Sequence, residues 1–189
     1  MFNADFDDKI VAPPHEVTRL RGVKGLSYVL DFMLLFCDAR RDHEIELIEF
    51  DLLSLPTELL DNNVGKLTST LRSLSLATNK LHILPSEMYS LASLAALDLS
   101  ENNIHSLPEG FVEMRKLEAL YLDDNKLRVL PVDFERLKKL RYVSLNRNRL
   151  ETIPPSIRKC GQLQVLRADK NKFEILPQPL SLCQTLQEM

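Results

Sequence analysis

Apolar residues recur at fixed spacings along most of this chain. In one clear unit, Leu97 and Leu99 are followed by Asn102, and the pair Leu107-Pro108 closes the unit. Because such self-similarity marks a stack of like units, it predicts a repeat architecture before any single element is assigned. Successive closing pairs stand 23 residues apart, except that the first precedes the second by 29: Leu55-Pro56, Leu84-Pro85, Leu107-Pro108, Leu130-Pro131, Ile153-Pro154 and Leu176-Pro177.

Each position of the unit has a predicted structural role. Leucines two apart point to one face of a short strand, with the residue between them on the other face. The asparagine is expected to hydrogen-bond buried backbone groups in the turn after the strand, so that these side chains stack as a ladder. The apolar residue three positions after each proline is expected to pack on the convex side. Those residues are Leu59, Met88, Phe111, Phe134, Ile157 and Leu180.

The unit resembles the leucine-rich repeat family, whose pattern is LxxLxLxxNxLxxLP. The resemblance covers about residues 42–189 and implies an α/β fold, a short curved solenoid of about six repeats with a parallel concave β-sheet. Its 23-residue period is similar to that of Ras-suppressor and Ras-scaffold proteins and of plant Ras-group relatives. The first unit departs from the pattern, since Phe50 stands where asparagine belongs.

The two ends fall outside the regular pattern. Residues 1–41 form an N-terminal extension, in which Ser27 is expected to cap a helix that runs to about Ala39. This helix either covers the open end of the solenoid or binds a partner or a membrane surface. At the other end, Leu186 and Met189 match the first two leucine positions of a seventh repeat. We therefore expect either a fragment or short isoform, or an open end that docks against another molecule. That molecule can be a second copy of the chain, which would give self-association.

Strand alternation predicts which side chains line the concave wall. Tyr121 and Tyr142 are expected to be exposed neighbours that anchor a partner, with Arg167 beside them. Tyrosine also tolerates a solvated strand, so a purely structural role stays open. The partner-binding residues predicted on this wall are Asp98, Tyr121, Asp123, Tyr142, Asn146, Arg167 and Asp169.

Composition and charge change the picture in two ways. The 37 leucines belong mostly to the repeated core positions, and the net charge of −3 hides a strong asymmetry. Residues 42–135 carry 17 acidic and 7 basic side chains (7 − 17 = −10), whereas residues 136–172 carry 11 basic and 2 acidic ones (11 − 2 = +9). We expect a basic rim beside the strand ends, which either steers a partner or only aids solubility. Its residues are Arg147, Arg149, Lys170 and Lys172.

The sequence has only weak signals for phosphate binding, metal binding or catalysis. The five glycines form no phosphate-binding motif, and His43-Glu44 lacks a second histidine at zinc-site spacing. His82 and His105 share a repeat position and should stack, but two histidines are too few for a structural metal. Cys160 and Cys183 also occupy the same position in successive repeats, which favours a role in buried packing for both side chains. We expect no enzyme activity, no cofactor and no metal.

The N-terminal residues 1–8 are acidic, which does not match a signal peptide, and the odd number of cysteines favours a reducing compartment. We expect a cytoplasmic adaptor or scaffold in intracellular signalling that binds a protein and no nucleic acid. The resemblance implies a small GTPase or a phosphatase subunit as partner. The alternative is a recognition domain or fragment of a longer multidomain enzyme or receptor.

Overall fold

A parallel β-sheet runs through the whole part of the chain that is described. The computed structural model describes residues 18–21, 44–55, 60 and 67–174. Each strand pairs with the next one in sequence, so the order in space follows the order in the chain. The sheet is curved and does not close on itself. Its seven strands are β1 (Thr18–Arg21), β2 (Glu44–Ile48), β3 (Ser73–Ser75), β4 (Ala96–Asp98), β5 (Ala119–Tyr121), β6 (Tyr142–Ser144) and β7 (Val165–Arg167).

Strand β1 is an addition to the expected architecture. The repeat pattern assigns no strand to the N-terminal extension, yet Leu20 of β1 is in register with Leu47 of β2. Only Leu20 is apolar in this strand, which explains why the leucine pattern does not reveal it. The predicted capping helix from Ser27 to Ala39 and the predicted seventh repeat lie outside the described residues.

The repeated leucines form one continuous core. Leu97, Leu99, Leu120 and Leu122 are fully buried, as the pattern predicts, and the same positions of the other repeats join them in a single apolar cluster. No repeat can enclose its own apolar side chains, so each depends on its neighbours for burial. The predicted apolar column is confirmed where it is described, because Met88, Phe111, Phe134 and Ile157 are also fully buried.

The return segments carry short 3₁₀ helices rather than α-helices. Pro85, Pro108 and Pro154 adopt extended backbone angles, with φ of −66°, −67° and −61°, and a 3₁₀ helix follows each directly. Proline fixes φ near this value, so the Leu-Pro pair sets the path of the chain away from the strand. The 3₁₀ helices are Ser86–Ser90, Glu109–Glu113, Phe134–Arg136 and Pro155–Lys159, and a four-residue α-helix, α1, spans Leu67–Thr70.

The asparagine ladder links every repeat to the one before it. In Asn125, Oδ1 accepts a hydrogen bond from the backbone N–H of Ile104 at 3.0 Å. Its Nδ2 donates to the carbonyl oxygens of Leu99 at 2.8 Å and Leu122 at 3.3 Å. Thus one side chain satisfies backbone groups of its own turn and of the preceding repeat. The same set of bonds recurs at Asn79, Asn102, Asn148 and Asn171.

The residue before each of these asparagines has a left-handed backbone. Thr78, Glu101, Asp124, Arg147 and Lys170 have φ between 53° and 55°. For residues other than glycine, asparagine and aspartate, this conformation costs about 1–2 kcal/mol, which applies here to all but Asp124. The adjoining hydrogen bonds of the ladder offset that cost, and the turn then displays a full side chain at its tip.

Replacing one asparagine of the ladder should weaken the whole fold. Asn125→Ala leaves the N–H of Ile104 and the carbonyl of Leu99 without these bonds, so we expect a loss of about 2–4 kcal/mol in the free energy of unfolding. Urea denaturation measures this loss. Asn103→Ala is the matched control, because the side chain of Asn103 makes no hydrogen bond within the described ranges. Equal losses in the two variants would contradict the ladder's structural role.

Candidate functional site

Side chains of the concave wall stand in rows across the parallel strands. The first row lies at the start of each strand, where Ala96, Ala119, Tyr142 and Val165 form a second buried apolar cluster separate from the leucine core. The second row lies at the end of each strand and runs through Ser75, Asp98, Tyr121, Ser144 and Arg167. The third row follows the strands and contains Ser100, Asp123, Asn146 and Asp169.

The two tyrosines of the wall are neighbours, as predicted, but only one of them faces solvent. The ring centroids of Tyr121 and Tyr142 lie 4.9 Å apart at an interplanar angle of 38°. The guanidinium of Arg167 lies over the Tyr142 ring, 5.7 Å from its centroid. Tyr142 is therefore covered on both sides and is only 4% exposed. The prediction of an exposed anchor at Tyr142 is wrong, and Tyr142 instead supports Tyr121, which is partly exposed.

Two carboxylates of the wall are half-buried and held by hydrogen bonds. Asp98 Oδ1 accepts from the backbone N–H of Ser100 at 2.9 Å. Asp123 Oδ1 accepts from Ser144 Oγ and from the N–H of Asn146, both at 2.7 Å. Burial raises the pKa of both carboxyl groups above the ordinary value of 3.8, although these hydrogen bonds lower it. The negative charge of Asp123 further raises the pKa of Asp98.

A hydrogen-bond network joins the third row across three repeats. Beyond Asp123, Asn146 Nδ2 donates to Ser144 Oγ at 3.2 Å, and Asn146 Oδ1 accepts from the backbone N–H of Asp169 at 2.8 Å. Ser144 is buried within this network. The repeat register places it on the wall beside Tyr121, but it is not among the predicted partner-binding residues.

The four residues of the predicted basic rim all face solvent at the carboxyl ends of the strands. Arg147 and Lys170 occupy the left-handed position of successive repeats, and Arg149 and Lys172 follow two residues later. Arg147 forms an ion pair within the protein, because its Nε lies 2.7 Å from Asp124 Oδ1. This ion pair also raises the pKa of Arg147. The rim residues whose charge is not offset by a salt bridge within the described ranges are Arg149, Lys170 and Lys172.

The remaining candidate residues occupy structural positions. The exposed rings of His82 and His105 stack as predicted, with centroids 6.4 Å apart. Cys160 is buried, and its Sγ lies 3.6 Å from the carbonyl oxygen of Phe134. Among the described residues, no group of three or more histidine, cysteine, aspartate or glutamate side chains could hold a metal ion. The described helices include none with the length and apolar character needed to cross a membrane.

Large apolar side chains are exposed away from the concave wall, a feature that the repeat pattern does not predict. Ile83 and Val129 directly precede the Leu-Pro pairs of their repeats, and Val132 follows one of them. Tyr89 is half-exposed in the 3₁₀ helix Ser86–Ser90, where a Cβ on Gly110 would come within 2.9 Å of its ring. Glycine at this position therefore makes room for the tyrosine.

Family models agree with the repeat architecture. Residues 69–127 match one model described as leucine rich repeat, and residues 139–160 match a second model with the same description. No curated protein matches the chain. Together with the strand register and the asparagine ladder, these matches define the class: the chain folds as a leucine-rich-repeat solenoid. Such domains generally mediate protein–protein interaction and are typically non-enzymatic.

Solved structures share this fold. A leucine-rich repeat protein of Leptospira interrogans is 30% identical with a TM-score of 0.70, and the match covers 77% of this chain and 37% of that one. The ectodomain of the Arabidopsis thaliana receptor kinase GASSHO1, solved in complex with CASPARIAN STRIP INTEGRITY FACTOR 2, is 29% identical with a TM-score of 0.66. That match covers 76% of this chain and 17% of the ectodomain.

The leucine-rich repeat domain of the type III effector XopL is 21% identical with a TM-score of 0.73, and supports the fold alone. The match covers 86% of this chain and 56% of the effector domain. The chain thus spans less than two thirds of each of the three solved chains.

Removing the charge of Asp98 should stabilise the protein in a pH-dependent way. Because the folded state raises the pKa of Asp98, wild type loses stability as pH rises through that pKa. An asparagine at this position carries no charge, and its side-chain oxygen can still accept the hydrogen bond from the backbone N–H of Ser100. We expect Asp98→Asn to be more stable than wild type at pH 7, by an amount that shrinks toward pH 4 in urea denaturation. Asp133→Asn, on the convex side, is the control. If the stability advantage of Asp98→Asn over wild type grew as pH falls, the raised pKa of Asp98 would be contradicted.

Proposed function

We propose that this chain is a non-enzymatic adaptor or scaffold that binds a protein partner on its concave wall. The observation that carries the proposal is the wall itself, where Tyr121, Asp98, Asp123 and Arg167 are held by buried neighbours and by cross-repeat hydrogen bonds. Side chains fixed before binding lose little conformational entropy when a partner arrives, which favours affinity.

Tyr121 has the properties of a binding anchor. It is partly exposed, its ring packs on Tyr142, and it lies between Asp98 and Ser144 in the second row. Tyrosine is enriched among residues that dominate binding energy because its ring buries a large area at small entropic cost. The complex of the similar Arabidopsis ectodomain with a protein factor is consistent with such a role for the fold.

We further propose a cytoplasmic role in intracellular signalling, with a small GTPase or a phosphatase subunit as partner. The support is the 23-residue repeat, which resembles that of the Ras-scaffold subclass. The odd number of cysteines in the sequence also suits a reducing compartment. The rim residues Arg149, Lys170 and Lys172 would steer an acidic patch of that partner toward the wall.

A second candidate role is that of a recognition domain within a longer multidomain protein. The support is the length of the similar chains, of which this one spans 17% to 56%. The full-length transcript decides between the two, since an open reading frame that continues into another domain would favour the second role.

Truncating Tyr121 should weaken partner binding without loss of the fold. We expect Tyr121→Ala to cost at least about 1–2 kcal/mol of binding free energy, since anchor residues typically cost this much. A partner captured from native extract with the full chain would be purified and titrated by calorimetry. Tyr89→Ala is the control, because Tyr89 is a half-exposed tyrosine on the convex side. Equal affinity of the two variants would reject the concave wall as the binding surface.

Charge reversal on the rim should slow partner association. We expect the triple variant Arg149→Glu, Lys170→Glu, Lys172→Glu to lower the association rate constant at least about tenfold at low salt, with a smaller difference at 0.5 M salt because ions screen exposed charges. Surface plasmon resonance measures both rates. The control reverses Lys138, Lys139 and Arg158, which are exposed away from the rim. Equal slowing in both triple variants would show a net-charge effect and exclude a specific rim.

A further inference from the structure

Two carboxylates of the concave wall form no salt bridge within the described ranges, although the charge of Arg147 acts on one of them, Asp123. Asp98 ends β4, and Asp123 follows β5 by two residues on the same solvent-facing side. Each is nevertheless half-buried, so water solvates these charges incompletely. A cation bound between them would remove this cost.

The register brings the relevant side chains together. Ser75 pairs with Asp98 across β3 and β4, and Asp98 pairs with Tyr121 across β4 and β5. Asp123 follows Tyr121 by two residues and points to the same face. Paired side chains on adjacent strands lie about 5 Å apart and diagonal ones about 7–8 Å apart, which fits one planar group between the two carboxylates.

Hydrogen bonds orient both carboxylates. Asp98 Oδ1 is held by the N–H of Ser100, and Asp123 Oδ1 by Ser144 and Asn146. Both bonds to Asp123 use Oδ1, so its Oδ2 can accept from a ligand, whereas the side chain of Ser100 also hydrogen-bonds Asp98. Because the carboxylates are positioned in advance, a ligand would not have to order them.

An unsatisfied hydroxyl group provides an independent indication of a ligand. Ser75 is only 1% exposed, and its Oγ has no hydrogen-bond partner in the described part of the chain. Buried polar groups without a partner are rare and costly. Ser75 is the strand partner of Asp98, so the two side chains are neighbours on the same face of the sheet.

We propose that Ser75, Asp98, Tyr121 and Asp123 form a socket for the guanidinium group of an arginine on the protein partner. This inference rests on the proposed function, since it names the chemistry of the partner at that wall. A guanidinium group is planar and has five N–H donors, so it can bind both carboxylates and the Ser75 hydroxyl while its face stacks on Tyr121. A lysine ammonium group has three donors at one point and cannot span the two carboxylates in this way.

Short peptides test the socket directly. Three capped pentapeptides, Gly-Gly-X-Gly-Gly with arginine, lysine or citrulline at the centre, would be titrated into the isotopically labelled full chain and followed by NMR. We expect the arginine peptide to shift the amide signals of Ser100, Asp123 and Asn146 and to bind at least about fivefold more tightly than the other two. Citrulline has nearly the same shape without charge, whereas lysine has the charge without the planar fork.

Variants locate the binding. We expect Asp98→Asn and Asp123→Asn each to weaken the arginine peptide at least about fivefold, and Ser75→Ala to weaken it about twofold to threefold. Asp133→Asn, which removes one acid from the convex side, should leave the dissociation constant unchanged. Circular dichroism would check that all four variants stay folded, so that a loss of binding is not caused by unfolding.

Each outcome decides the inference. Equal binding of the lysine peptide would overturn guanidinium recognition, and binding that Asp98→Asn and Asp123→Asn leave unchanged would overturn the socket. The natural partner separates this inference from the proposed function. If Tyr121→Ala abolishes partner binding while Asp98→Asn leaves it intact, the socket is wrong and the concave wall remains the binding surface. If neither variant affects the partner, the proposed function itself fails.

Discussion

The constraint on which this structure depends is the need to pair buried backbone groups in turns that repeat every 23 residues. A tight turn packed against another turn leaves N–H and C=O groups that neither water nor a β-ladder reaches. One asparagine side chain per repeat, such as Asn102 or Asn125, satisfies groups on both sides of the contact between repeats. This bonding holds neighbouring repeats at one register, and the register then decides which side chains meet on the concave wall.

The wall carries groups that destabilise the fold. Asp98 and Asp123 keep charge in a poorly solvated place, and Ser75 keeps a hydroxyl without a partner. A protein can retain such groups when the surrounding structure is stable enough to hold them, and in general they concentrate where a ligand binds. Below these groups, Tyr142 and the small side chains of Ala96 and Ala119 form an apolar layer that gives Tyr121 a fixed base.

Sequence reasoning reached most of the fold because the repeat signal is local. The spacing of Leu97, Leu99 and Asn102 predicts the strand, the turn and the buried ladder, and the structure confirms all three. The candidate site was harder to predict from the sequence, because the exposure of a side chain on the concave wall depends on the side chains of neighbouring strands. Tyr142 is buried because Tyr121 and Arg167 lie on its two sides, and no spacing within one repeat reveals that. Strand β1 was missed for the opposite reason, since it joins the sheet without following the leucine pattern.

The left-handed position before each asparagine has a consequence for how this protein can change. Glycine would adopt that conformation freely but would raise the entropy of the unfolded chain, which lowers stability. Threonine, glutamate, aspartate, arginine and lysine occupy it here, so the unfolded chain stays less flexible and every turn displays a different side chain. Because this side chain points outward from a backbone held by the neighbouring asparagine, its charge can be exchanged one repeat at a time without disturbing the leucine core. Partner specificity along this edge can therefore evolve separately from folding.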